Sequence, residues 1–92
     1  MYELVPSTKF KKDLKVCLKR GCRKEDIKTV LDYLIESGQV PSEYQPHKLG
    51  GEYNGLWECH IKPDWLLIYD RQKSIKLIGL VRTGRHQDLF DE

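Results

Sequence analysis

Cys59-His60-Ile61-Lys62-Pro63-Asp64-Trp65-Leu66-Leu67-Ile68-Tyr69 decides the fold. Two apolar runs flank a Pro-Asp dipeptide. Proline sets φ and lacks an N–H, and aspartate hydrogen-bonds its own nearby backbone, so Pro63-Asp64 is turn chemistry. Leu56–Ile61 and Trp65–Tyr69 therefore read as the two strands of a hairpin. Such a turn would hold His60 and Asp64 close together at one end of a sheet.

Working outward, Asp70-Arg71-Gln72-Lys73 is a polar reversal, and Ile75–Thr83 is a third strand. Ile75, Leu77, Gly79 and Val81 fall on one face of it, and Ile78, Leu80 and Arg82 on the other. Apolar residues on both faces place that strand inside a covered sheet. His86–Phe90 forms a terminal turn or short helix. Upstream, Val40–Tyr53 is polar, rich in Pro and Gly, and reads as irregular; it carries His47. Tyr2–Val5 is a short strand. Ser7 caps a helix whose stripe is Phe10, Leu14, Cys17 and Leu18, at 3.6-residue spacing, and Gly21 stops it. A second helix from about Lys24 to Glu36 buries Ile27, Val30, Leu31, Leu34 and Ile35, with Glu25 and Asp26 in the first turn, where negative charge suits the dipole. Neither helix can bury its stripe alone. The expected fold is α+β, in the order β-α-α-β-β-β, with a mostly antiparallel sheet packed under a helical hairpin.

With 92 residues, one domain spanning 1–92 is expected. The apolar share of 39% and charged share of 33% fit a globular protein rather than a disordered one. No apolar run nears the roughly 20 residues a membrane helix needs. The start Met1–Pro6 lacks the basic and apolar regions of a signal peptide. Three cysteines (Cys17, Cys22, Cys59) make no disulfide framework and read as reduced thiols, hence a cytoplasmic location. Net charge is only +2, yet Lys9, Lys11, Lys12, Lys15 and Lys19 crowd the first helix. That crowding is either a solvated helix face or a surface for nucleic-acid phosphates.

The chemistry gathers in the second half. Antiparallel pairing would carry His60, Asp64, Arg82 and His86 to one rim of the sheet, with His47 on the loop before it. Two imidazoles, a carboxylate and a guanidinium match metal-free RNA cleavage. One group takes the 2′-OH proton, another protonates the leaving 5′-oxygen, and a cation offsets the charge building on phosphate. Trp65, Tyr69 and Phe90 are candidate stacking platforms for bases. Blander readings stand beside these. Trp57 and Trp65 suit a core, Asp64 suits an ordinary turn, and Arg82 suits a cross-strand ion pair with Glu58. A metal site drawing on His47, Cys59, His60 and His86 is the rival chemistry. Cys59 and His60 point to opposite strand faces, however, and their spacing matches no tetrahedral zinc pattern. No Walker loop, dinucleotide fingerprint or nucleophile elbow occurs.

His47-Lys48-Leu49-Gly50-Gly51-Glu52-Tyr53-Asn54-Gly55-Leu56-Trp57-Glu58, continuing through Tyr69, and then Arg82-Thr83-Gly84-Arg85-His86-Gln87-Asp88-Leu89-Phe90, resemble the YafQ branch of the RelE/ParE toxin superfamily. The resemblance implies a RelE-like fold and a ribosome-dependent mRNA interferase that cuts in the ribosomal A site without metal or other cofactor. It implies His47, His60, Asp64 and His86 as the acid–base set. His86 would be the acid, His60 or His47 the base, and Arg82 the phosphate-stabilising residue. Trp65 and Phe90 would shape the site. The basic helix, through Lys11, Lys12, Lys15 and Lys19, would face ribosomal RNA. A cognate antitoxin is implied as partner, with operator DNA reached only through it and no membrane involved. Arg85 departs from the pattern, where a small hydroxyl residue is usual, and sets an extra cation beside His86. Two alternatives stay open on the sequence: an inactive corepressor of the same fold, and a gyrase-directed toxin of the same superfamily.

Overall fold

The computed structural model describes residues 1–90. It is α+β: β1 (Glu3–Pro6), α1 (Thr8–Lys19), α2 (Lys24–Ser37), β2 (His47–Lys48), β3 (Trp57–Lys62), β4 (Trp65–Gln72), β5 (Leu77–Gly84) and α3 (His86–Phe90). The strands form one sheet in the order β1-β5-β4-β3-β2. β1 runs parallel to β5 and every other pairing is antiparallel.

Ser7 starts α1 as expected, its Oγ accepting the Phe10 N–H at 3.0 Å. The same hydroxyl donates to Val81 O at 2.9 Å, which ties the helix start to β5. α2 ends on Gly38 in the left-handed region, at φ 73°, with its N–H on Leu34 O. The Tyr2 ring packs where a Cβ on Gly38 would stand, 2.6 Å from the ring atoms. This position needs glycine on both counts.

The sheet has two faces with different covers. Phe10, Cys17, Ile27, Val30 and Leu34 of the helices pack on Cys59, Ile61, Trp65, Leu67, Tyr69, Ile78 and Leu80, the main core. Alternation along β4 sends Leu66 and Ile68 to the opposite face, where they meet Leu89, Phe90, Leu49, Tyr53 and Leu56. In β5 a register shift opposite Ile68 and Tyr69 brings Val81 and Arg82 there together, so Arg82 does not share the face of Leu80 as its spacing predicts. A short helix and one loop cover that second face, which leaves room for polar side chains.

Three boundaries differ from expectation. Val40–Tyr53 is not wholly irregular. It holds two 3-10 turns (Ser42–Tyr44 and Gly51–Tyr53) and β2, which adds a fifth strand on β3. A two-residue strand has too few positions to show a period. β4 continues to Gln72, through most of the stretch read as a reversal. Ile75 does not open β5: it sits in the turn at 66% exposure, and Lys76 beside it has φ 54°.

Candidate active site

The second sheet face carries a transverse row. His47 pairs with Glu58, Glu58 with Ile68, and Ile68 with Arg82, across four adjacent strands. At about 4.8 Å per strand, Arg82 lies roughly 14 Å from His47 along the row. The next row runs His60, Leu66, Gly84. Gly84 ends β5 and is followed at once by Arg85 and His86, so α3 begins about 10 Å across the sheet from His60. Leu66 and Ile68 are the apolar floor between the two rims.

On one rim, His47 Nε2 lies 3.1 Å and His60 Nε2 3.9 Å from Glu58 Oε1, the first within hydrogen-bond reach and the second beyond it. The two imidazole centroids are 6.4 Å apart. Each Nδ1 faces a backbone carbonyl, Gln45 O at 3.1 Å and Pro63 O at 3.4 Å. His47 thus meets an oxygen acceptor at each ring nitrogen, and a ring with one N–H can donate to only one of them. Glu58 is 5% exposed, and its Oε2 is buried without a hydrogen-bond partner among the described residues. Leaving such an oxygen unmet costs about 1–3 kcal/mol, so this carboxylate sits where folding alone would not put it. Sequence reading used Glu58 only as an ion-pair partner for Arg82, and the structure overturns that pairing. Its alternation with Trp57 and Cys59, which places it on the His60 face, was the available signal.

On the other rim, Arg82 is held by Asp13 of α1. Nε donates to Oδ2 at 2.6 Å and Nη2 to Oδ1 at 3.1 Å. Hydrogen bonding to Asp13 pushes the guanidinium pKa further up, so Arg82 is a permanent cation. It also borders a groove of about 580 Å³ shared with Lys9, Tyr53 and Leu89. Tyr53 donates to Leu89 O at 3.1 Å, and its ring meets Phe90 edge-on at 5.6 Å. Phe90 in turn lies 4.7 Å from the His86 ring. His86 itself is solvent-exposed. α3 is anchored through Asp88, which accepts from Arg20 Nη1 at 2.9 Å and from the Arg85 N–H at 3.1 Å. Partial burial would raise the Asp88 pKa, but these hydrogen bonds outweigh it and hold the carboxyl below its usual range. The extra cation Arg85 is tied to the same carboxylate, with Nε at 3.4 Å.

Other expected site residues lie elsewhere. Asp64 is exposed in the hairpin turn and, among the described residues, hydrogen-bonds to neither histidine. The turn leaves it past the His60 row, so the expected His60–Asp64 contact is replaced by His60 with Pro63 O. Trp65 is 3% exposed in the helix-side core, its Nε1 donating to Thr83 Oγ1 at 2.9 Å. Tyr69, at 1%, shares that core, where burial pushes its phenol pKa up. Both were expected to meet substrate. They lie instead on the face opposite Leu66 and Ile68, because odd and even residues of β4 point to opposite faces. Phe90 is half-buried beside His86, and Lys11, Lys12, Lys15 and Lys19 are exposed along α1.

Cys17 and Cys59 are pushed up to about 11 and about 12 by burial, which keeps them thiols rather than metal-binding thiolates at neutral pH. Among the described residues no group of three or more His, Cys, Asp and Glu side chains is arranged to hold a metal ion. No helix among them is long and apolar enough to cross a membrane.

A family model described as bacterial toxin of type II toxin–antitoxin system, YafQ, matches residues 2–91. The mRNA interferase toxin YafQ of Escherichia coli K12 is 35% identical over 85 residues, covering 91% of this chain and 90% of that protein. The crystal structure of the E. coli DinJ–YafQ complex superposes with a TM-score of 0.87 at 33% identity, covering 98% of this chain and 99% of that one. A metal-bound toxin from Helicobacter pylori superposes at 0.88 and 37% identity, covering 98% and 100%. By sequence and by fold, the chain belongs to the YafQ family of type II toxin–antitoxin toxins.

Proposed function

We propose that this toxin is an endoribonuclease that cleaves mRNA on the ribosome by histidine acid–base chemistry, without a metal. The observation that carries the reading is the two-rim arrangement. Imidazoles gathered on a buried carboxylate face, over an apolar floor, a clamped guanidinium and an exposed imidazole. In the reaction His60 or His47 takes the proton from a ribose 2′-OH as its oxygen bonds to the adjacent phosphorus. Arg82 balances the charge that builds on the phosphoryl oxygens. His86 protonates the departing 5′-oxygen, leaving a 2′,3′-cyclic phosphate. Glu58 orients the base imidazole and matches its charge after proton uptake. Phe90, itself packed edge-on against Tyr53, supports the His86 ring and offers a face to a base. Asp64 stands outside the first contact row, where it meets RNA from the hairpin tip.

The exposed lysines of α1 would approach ribosomal RNA, and the toxin would act where ribosomes are, in the cytoplasm. The E. coli relative is held in a complex with the antitoxin DinJ. A cognate antitoxin of this chain would block the same sheet face, and operator DNA would be reached only through it.

The test is to incubate the protein with programmed ribosomes and a defined mRNA, with naked mRNA in parallel, with and without a transition-metal chelator that spares the Mg²⁺ the ribosome needs, and to map 5′ ends by primer extension. The expected result is cuts at the A-site codon with ribosomes only, reduced at least about 100-fold in His86→Ala. Cleavage unchanged in His86→Ala would sink the acid assignment. Cleavage abolished by the transition-metal chelator, with the ribosomes still assembled, would sink the metal-free reaction.

A further inference from the structure

Asp13 stands on α1, the element otherwise assigned to the ribosome, yet it is built into the sheet. Its Oδ2 and Oδ1 take Arg82 Nε and Nη2 at 2.6 and 3.1 Å, and Oδ2 also accepts the Thr83 N–H at 3.2 Å. The side chains of this pair are 20% and 18% exposed. The pair is unlike the exposed single contact between Arg23 and Glu25 at the start of α2. A two-point fork on a planar guanidinium fixes its plane as well as its position. The third contact ties the carboxylate to the β5 backbone as well as to the guanidinium. Thr83 in turn donates from Oγ1 to Leu66 O at 2.7 Å. Leu66 is the residue paired with His60. The guanidinium is therefore registered to the strand that carries the floor between the two rims. Asp13 takes Nε and Nη2 of the guanidinium, which leaves the other N–H groups uncommitted to it, and Arg82 borders the groove with Tyr53 and Lys9.

We propose that Asp13 is a positioning residue of the cleavage site, setting the Arg82 plane so that its unbound edge meets the phosphoryl oxygens as charge builds on them. This rests on the RNA-cleaving role proposed above. An unclamped arginine on a half-covered sheet face samples many rotamers, and a charge-stabilising donor displaced by about 1 Å loses much of its effect on rate. The cost of losing Asp13 falls on kcat, because ribosome binding is carried by the exposed lysines.

The experiment measures cleavage on programmed ribosomes for wild type, Asp13→Asn, Arg82→Lys and the double variant, with Tm for each. The Arg82 Nε–H resonance is followed by NMR in wild type and Asp13→Asn. Asp13→Asn is expected to lower kcat about tenfold or more while KM stays within about threefold. In the Arg82→Lys background, which has no fork to orient, the same substitution costs less than about twofold. The Nε–H resonance is slowly exchanging in wild type and lost in Asp13→Asn. An equal loss in both backgrounds, a loss confined to KM, a loss that tracks a fallen Tm, or an unchanged Nε–H resonance overturns the proposal. A wild-type chain that leaves programmed mRNA intact overturns the cleavage reading, and this proposal with it.

Discussion

Glu58 is the residue whose surroundings argue most directly for chemistry rather than architecture. A carboxylate that is 5% exposed with one oxygen unmet lowers stability, and two imidazoles stand within 4 Å of its other oxygen. Replacing it should separate the two roles. Glu58→Gln is expected to keep stability at or above the wild-type value, by up to about 1 kcal/mol, with Tm unchanged or raised, since a buried charge is removed. The same variant should cut programmed mRNA at least about tenfold more slowly. Thermal melts paired with single-turnover cleavage check both halves, and a lower Tm with unimpaired cleavage would make Glu58 a structural residue. The histidines were legible in the sequence because imidazole is scarce and each fell at a loop or strand end. Glu58 was not, since glutamate in a strand ordinarily marks a solvated face. Asp64 is close to His60 in sequence, yet the backbone acceptor that His60 Nδ1 meets is Pro63 O, which sequence proximity does not reveal.

Elements carry their own constraint. The α2–β2 connection starts with a glycine that meets two requirements at once, φ 73° and an aromatic ring against its α-carbon. Gly38→Ala is therefore expected to cost about 1 kcal/mol or more, a fall in Tm of at least roughly 4 °C. A calorimetric scan settles it, and an unchanged Tm would mean that Tyr2 yields freely. Strand alternation also sorts the aromatics. Trp65, Leu67 and Tyr69 face the helices, and Leu66 and Ile68 face the site. The apolar run Trp65–Tyr69 says nothing by itself about which of its faces the helices take. Assigning Trp65 and Tyr69 to the substrate side was a coin that the packing of Phe10, Val30 and Leu34 decided.

At the scale of the whole molecule, charge is spread unevenly even though the net value is +2. Lys11, Lys12 and Lys15 are exposed together on α1. Changing all three to glutamine should weaken ribosome binding and reduce the slope of log K against log salt by up to about three, as each lost phosphate contact releases fewer counterions. Binding isotherms at several salt concentrations test this, and an unchanged slope would reduce the helix to a solvated face. The sequence by itself determined the order of the two helices and the four longer strands, the Ser7 cap, the central hairpin and the residue types of the site. Those follow from local dihedral preferences and from periods of 2 and 3.6, which are properties of the chain over a few residues. Only the tertiary structure decided that β2 closes the sheet edge, and that Glu58 rather than Asp64 lies between His47 and His60. It alone showed that Arg82 is clamped by a residue 69 positions away in the chain. Strand register across non-adjacent segments and the choice of covered face are set by packing summed over the whole domain, and no local pattern encodes that sum.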